Sequence, residues 1–423
     1  MGENSLMIWV RRTLGEICDE VKGIIRTEPF GSQLHQSDYQ DEGLPVVMPK
    51  DIIDAKISVE GIARIGEKDV ERLAQHRLKK GDIVYGRRGD IGRRALINDR
   101  EAGWLCGTGC LRISLGNSVL NPNFLYYYLG ESKVIAWIYN QAVGATLANL
   151  NTTIIRSIPI TYPPLPTQKK ITAILSAYDD LIENNTRRIK ILEEMAQTLY
   201  HEWFVKFRFP GHEQTKMVDS ELGLIPEGWE VKKLSDICNI TMGQSPKSEF
   251  YNQNQEGLPF HQGVTDFGDR FPIDRIFCTV QNRIAEAGDI LFSVRAPVGR
   301  INLANKKIII GRGLCAIRSK SANQLFVFQQ LKDKFQEEDL MGGGTIFKSV
   351  TKEDMHNLKI VAPNSILVQS FEKFVQPIFR NLEILTEKNL NLCKTRDLLL
   401  PKLISGEIDV EHLDINTTED VAA

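Results

Sequence analysis

Two stretches of this chain carry the same alternation of core-type residues, a constant 200 positions apart. The first runs Ile171, Leu175, Tyr178, Ile182, Asn185, Ile189, Leu192, Ala196, Leu199 and Trp203. The second runs Phe371, Val375, Ile378, Leu382, Leu385, Asn389, Leu392, Arg396, Leu399 and Leu403. Steps of four and three keep one stripe of an α-helix turned towards a partner, as in the a/d seam of a coiled coil. At 1.5 Å per residue each seam is about 50 Å long, and two seams in one chain can pair with each other. Each has one Asn, fifth in the first series and sixth in the second. Full antiparallel overlap sets Asn185 against Asn389 at the centre, where two amides can satisfy one another and fix register. The alternative is an ordinary amphipathic helix packed on each globule, without pairing.

The duplication extends beyond the helices. LGEIC from Leu14 answers to LSDIC from Leu234, and GDIVYGRRGDIGR from Gly81 to GDILFSVRAPVGR from Gly288. CGTGCLRI from Cys106 is matched by IGRGLCAIR from Ile310, and GAT from Gly144 by GGT from Gly343. The chain therefore reads as globule, helix, globule, helix, a tandem repeat with pseudo-two-fold character. Short β-branched runs between Gly-rich turns read as strands. Asn121-Pro122 supplies an N-cap and an N1 proline for a helix, whose counterpart falls at 323–334. Strands mixed with helices and no regular βαβ rhythm make each globule α+β. The expected boundaries are 1–164 and 210–362 for the globules, and 165–209 and 363–408 for the helices. Residues 409–423 read as an acidic tail with little to bury. The prolines at 163, 164 and 166 close the first globule, with Thr167 as the N-cap of the helix that follows.

Length and composition bound the rest. At 423 residues the chain has room for two or three domains, and its net charge of −2 gives nucleic acid no global attraction. No apolar run approaches a membrane span and no signal-peptide pattern opens the chain, so a cytoplasmic compartment is expected. The seven cysteines make no metal pattern, since Cys106 and Cys110 form a lone pair with no second one. Cys18 and Cys238, which close the repeated phrases, read as core.

Cations are concentrated locally. Arg77, Lys79, Lys80, Arg87, Arg88, Arg93 and Arg94 crowd one short stretch of the first globule, and residues 290–332 of the second contain no Asp or Glu. That second stretch carries Arg295, Arg300 and Arg312 beside Gly-rich turns, where backbone N–H groups can meet a phosphate and arginine can address guanine. Thr146 and Thr345 are weaker candidates for phosphate contacts. Recurrence at matching places in both halves favours nucleic acid over a merely solvated face. NPNF at Asn121 approaches the N-P-P-F loop of adenine-N6 methyltransferases, but its third residue is wrong and no Gly-rich cofactor loop precedes it. The spacing of Asp219 with Glu230 and Lys232 is a chance-level nuclease pattern. Neither catalytic residues nor a metal site are expected.

The stretch from Tyr178 through EWFVKF at Glu202 to IPEGW at Ile225 resembles the central conserved region of specificity subunits of type I restriction–modification systems. LLLPKLISGEI from Leu398 resembles the distal conserved region of that family. SVRAPVGR from Ser293, GRGL from Gly311 and GGTIFK from Gly343 are similar to its target-recognition domains. The resemblance implies a non-catalytic, prokaryotic DNA-reading subunit in which each globule reads half of a bipartite target. The helix pair would act as a ruler, spanning more than one turn of B-DNA (about 34 Å). Two modification subunits would dock on the helical parts and bring S-adenosylmethionine, and restriction subunits would bring ATP and magnesium. No cofactor would be bound by this chain. The other classes to separate are a stand-alone adenine methyltransferase or nuclease, and a coiled-coil protein-interaction scaffold.

Overall fold

A computed structural model describes residues 9–27, 33–87, 92–142, 150–335, 340–341, 345–346 and 349–417. It divides into two compact units, Met1–Asn184 with Lys388–Ala423, and Asn185–Glu387.

In the first unit the central strand Cys110–Ser114 lies between Ile24–Thr27 and Ile83–Gly86, with Arg94–Leu96 outermost, all antiparallel. Side chains alternate across a strand, so Leu111 and Ile113 join Ile83 and Tyr85 in a core with Leu14, Ile17, Phe124 and Leu125. Cys110, Val84 and Ala95 face a second cluster with Val47, Ile52 and Ile97. Both faces are covered, which explains why Ile83–Gly86 is buried along its whole length. A second sheet orders Leu105–Cys106, Leu44–Val47, Ala63–Ile65 and Tyr39–Gln40, with Leu105 and Val46 paired in parallel. Val10–Thr13 pairs with Pro159–Tyr162, and Leu14 N donates to Ile158 O at 2.9 Å. The capped helix occurs as expected: Asn121 Oδ1 accepts from Phe124 N at 3.1 Å ahead of Pro122–Tyr128.

The second unit repeats the plan. Cys238–Met242, Leu314–Ser319, Ile290–Ser293 and Ile301–Leu303 make its antiparallel sheet in that order. In its second sheet Leu258–His261 runs parallel to Ile308–Ile310. Glu230–Lys233 pairs with Lys359–Ala362, and Leu234 N donates to Leu358 O at 2.8 Å. The helix answering to 323–334 is Gln324–Lys334. Cys18 and Cys238 are both 2% exposed, core residues as read.

The two long helices are Leu165–Tyr200 and Ser365–Ser405. No seam position of either is exposed. Within the first unit Ile171 and Leu175 share a core with Leu403 and Leu399. Farther along, Asp179 pairs with Arg396 at 2.6 Å, and Asn389 Nδ2 donates to Ile182 O at 3.3 Å. Within the second unit Ile189 packs with Leu382 and Leu385, while Trp203 meets Phe371. In each unit one helix number rises as its partner's falls, so the pairing is antiparallel. Asn185 is buried.

Three local expectations are corrected. The first long helix starts at Leu165, so Thr167 lies inside its first turn with its N–H on Pro164 O; Pro166 is tolerated there because a first-turn N–H has no helical partner. The α-helix gives way after Tyr200 to one π-helical turn, His201–Val205, which swings Trp203 and Phe204 onto Phe371 and Trp229. Residues 409–417 are not an unpacked tail. Val410 is 1% exposed, and Lys170 Nζ donates to the carbonyls of Glu411 and Leu413 at 2.6 and 2.9 Å. Backbone carbonyls made that contact, which an acidic, polar composition does not disclose.

Candidate nucleic-acid interface

Antiparallel order places alternate strand ends together. At one end of the second unit's sheet lie the exit of Cys238–Met242, the entry of Leu314–Ser319, the exit of Ile290–Ser293 and the entry of Ile301–Leu303. The connecting segments there are Gly243–Ser245, Gly311–Gly313 and Val294–Arg300, and they carry Arg295, Arg300 and Arg312, all exposed. Backbone bonds hold these turns together. Gly243 N donates to Leu314 O at 2.9 Å, Val294 N to Gly313 O at 2.9 Å, and Ser293 N to Arg300 O at 2.9 Å. Ser245 Oγ receives the Arg312 N–H at 3.2 Å and donates to Gln262 Oε1 at 2.8 Å. Ser245 and Gln262 belong to this end, and sequence reasoning missed them. Neither lies in a cationic run, and only strand pairing brings them beside Arg312.

The equivalent end of the first unit repeats the bonds. Gly86 N donates to Arg93 O at 2.8 Å, and Arg87 N to Gly109 O at 2.9 Å. Gly107 N reaches Val47 O at 2.8 Å, as Gly311 N reaches His261 O at 2.8 Å. Arg87 and Arg93 stand there half-buried, with Arg87 Nε on Leu150 O at 3.0 Å and an Arg93 Nη1 contact to Pro49 O at 3.3 Å. Arg94 differs. Its Nε donates to Tyr126 O at 2.8 Å, its guanidinium lies 4.8 Å from the Tyr126 ring centroid, and burial pushes its pKa down. A Cβ at Gly130 would fall 1.5 Å from Arg94 Nη2. The Arg94 side chain thus occupies the space between its strand and helix Pro122–Tyr128. Arg88 and Thr146 lie outside the described residues, as does the Thr345 side chain, whose strand Thr345–Ile346 pairs with Leu340–Met341.

Other cations of the two runs are held elsewhere. Arg318 binds Asp289 bidentately at 2.6 and 2.7 Å, Lys306 pairs with Asp274 at 2.7 Å, and Lys80 with Asp99 at 2.9 Å. Arg77 and Lys79, with Arg26 and Arg112, border a flank concavity of about 520 Å³ that also touches Ile24 and Ser114. Beneath the Arg312 turn, His261 is wholly buried with Nε2 3.2 Å from Asp274 Oδ1. Burial would raise the Asp274 carboxyl, but the hydrogen bonds from His261 and Lys306 outweigh it and hold the pKa below the ordinary value.

Asn121, the residue that invited a methyltransferase reading, is 6% exposed and occupied as a helix cap, with its own N–H on Gln168 Oε1 at 2.8 Å. Among the described residues one group of possible metal donors gathers, exposed Asp409, Glu411 and His412, and exposed acids commonly gather without an ion. Among the described residues no helix is long and apolar enough to cross a membrane.

Comparison with known proteins converges. Residues 9–194 and 226–392 match the family model of the type I restriction modification DNA specificity domain. The chain is 28% identical over 391 residues to the type I restriction enzyme MjaIX specificity subunit of Methanocaldococcus jannaschii, covering 89% of each chain. A second protein of that organism, proposed to be the MjaX specificity subunit, is 32% identical across 87% of this chain and 88% of its own length. The solved type I restriction-modification S subunit from M. genitalium shares the fold, with a TM-score of 0.58 at 17% identity over 95% of this chain and 98% of that one.

Proposed function

The chain belongs to the type I restriction-modification DNA specificity family, and from that premise we propose that each of its globules reads one half of a split DNA target. It is a sequence-specificity subunit, and reading by two diverged globules makes the target asymmetric. The observation that carries the assignment is the shared sheet end. The same backbone bonds recur there in both units; Arg300 in one answers to Arg93 in the other, while Arg295 and Arg312 in one and Arg87 in the other add cations at the same end. A rigid edge presenting guanidinium groups suits phosphates and the base edges of the major groove. Arg94, engaged by Tyr126, is a positioning residue for that edge. Arg88 is a further candidate for DNA contact, and Thr146 and Thr345 are weaker candidates for phosphate contacts.

The long helices set the unread spacer, and their outer faces offer apolar side chains for docking. Leu181, Ile191 and Met195 on one helix and Phe374 and Leu398 on the other are more than half exposed. Two modification subunits dock there and bring S-adenosylmethionine. Restriction subunits bring ATP and magnesium, and this chain does no chemistry of its own. The test is to express the chain with its modification subunits and map methylated adenines. A bipartite motif of two unlike halves around a fixed spacer is expected; a continuous motif, or an unchanged map without this chain, would overturn the proposal.

A further inference from the structure

We propose that the middle residue of the Gly-X-Gly turn, Thr108 in the first globule and Arg312 in the second, selects a base in its own half-site, and that Arg312 selects guanine. This rests on the reading that each globule reads one half-site, and it names the side chain that separates the two.

Both turns are held in the same way. The first glycine N–H is bound to the neighbouring sheet, Gly107 to Val47 O and Gly311 to His261 O, each at 2.8 Å. The residue after the turn closes back on that glycine, Cys110 N to Gly107 O at 3.2 Å and Leu314 N to Gly311 O at 3.0 Å. The last glycine carbonyl is taken from the facing strand end, by Arg87 N and Val294 N, at 2.9 Å in both. The glycines are there because the backbone is pressed against its neighbours. A Cβ at Gly107 would fall 2.7 Å from Val46 Cγ1, and one at Gly313 2.6 Å from Gln262 O. The turn therefore cannot retract, and its middle residue is the one that can carry a side chain into the space ahead of the sheet.

Within a duplicated frame, a position held by the same bonds but filled by different side chains is where two readers of one shape diverge. Thr108 is half-buried and Arg312 is exposed. Their chemistries differ as a base code would need. The arginine fork matches the O6 and N7 acceptors of guanine. A threonine offers one hydroxyl and one methyl, which suit several bases or the thymine methyl. Arg312 also has its backbone fixed, by Ser245 Oγ at 3.2 Å, with Ser245 in turn on Gln262. A guanidinium that starts from an anchored turn loses less freedom on binding than one on a loose loop.

The experiment selects bound duplexes from a randomised library with the assembled complex of this chain and its modification subunits. It compares the wild type with R312A, R312K and T108R. The wild type should require guanine at one position of the second half-site. R312A should relax that position by about tenfold or more, leaving the first half-site untouched. R312K keeps the charge but not the fork, and should relax the same position. T108R should create a guanine preference at one position of the first half-site alone. The assignment is overturned if R312A weakens all sequences alike and R312K restores binding, the behaviour of a phosphate contact. Should T108R fail to assemble, the two Arg312 variants decide alone. A wild-type complex that selects no split sequence would overturn the half-site reading as well, whereas unchanged variants on a normal wild type sink the turn assignment only.

Discussion

Arg295 and Arg94 carry the same charge and came from matching cationic runs, yet their surroundings assign them opposite work. Arg295 is exposed at the sheet end, and Arg94 is half-buried and engaged against Tyr126 and Gly130. Arg295→Ala should therefore weaken every duplex alike and lower the salt slope of binding by about one unit, measured by titration at several salt concentrations. Arg94→Ala should instead cost about 1–3 kcal/mol of folding stability in a urea titration by stranding the Tyr126 carbonyl, with the slope unchanged. Asp274 gives a pH signature. Its folded pKa lies below the unfolded value near 3.9, because the bonds from His261 and Lys306 outweigh burial. Its stabilisation is thus complete above about pH 4 and is lost as pH falls through the lower folded pKa. Urea midpoints of Asp274→Asn should lie below wild type at neutral pH and converge with it in acid. A gap that persisted at the acid end would refute the linkage.

At the level of the elements, the most informative side chain is Arg396, which occupies a seam position where an apolar residue belongs. It is tolerated because Asp179 on the other helix accepts its Nη1 at 2.6 Å and also receives the Tyr127 hydroxyl at 2.6 Å. One carboxylate thus joins both helices to the first globule. Arg396→Ala leaves that carboxylate half-buried with one partner fewer, and should cost about 1–3 kcal/mol by thermal or urea unfolding. The double variant with Asp179→Asn should cost less than the two singles summed, because the interaction is removed whole. The seam pattern was legible from periodicity, since apolar spacing is a local property of helix geometry. The Arg396 partnership was not, because Asp179 lies on the other helix, more than two hundred residues earlier. The π-helical turn after Tyr200 was likewise invisible: its cause is aromatic packing of Trp203 and Phe204 against residues far along the chain.

For the molecule as a whole, the spacing role makes a length prediction. Inserting one heptad in register into both long helices adds about 10 Å of rise. On B-DNA, at about 3.4 Å per base pair along one strand, that equals about three base pairs of unread spacer. Methylation mapping should show both half-sites unchanged and the gap lengthened. A two-residue insertion would rotate the seam by about 200° about the helix axis, away from its partner, and should abolish binding instead. An unchanged gap after the heptad insertion would remove the helices as the ruler.

Repeat phrases, helix periodicity and glycine-flanked turns were enough to determine a duplicated α+β chain with two pairing helices, because each is encoded in short-range spacing; its family was legible only through the resemblance of whole phrases such as EWFVKF and LLLPKLISGEI. Which guanidinium groups face outward was decided by the tertiary structure alone. Arg87 meets the carbonyl of Leu150, Arg93 that of Pro49 and Arg94 that of Tyr126, each supplied by a segment remote in the chain. The physical reason is that a cation's destination depends on which acceptors folding brings within about 3 Å of it, and no local pattern in a sequence records that distance.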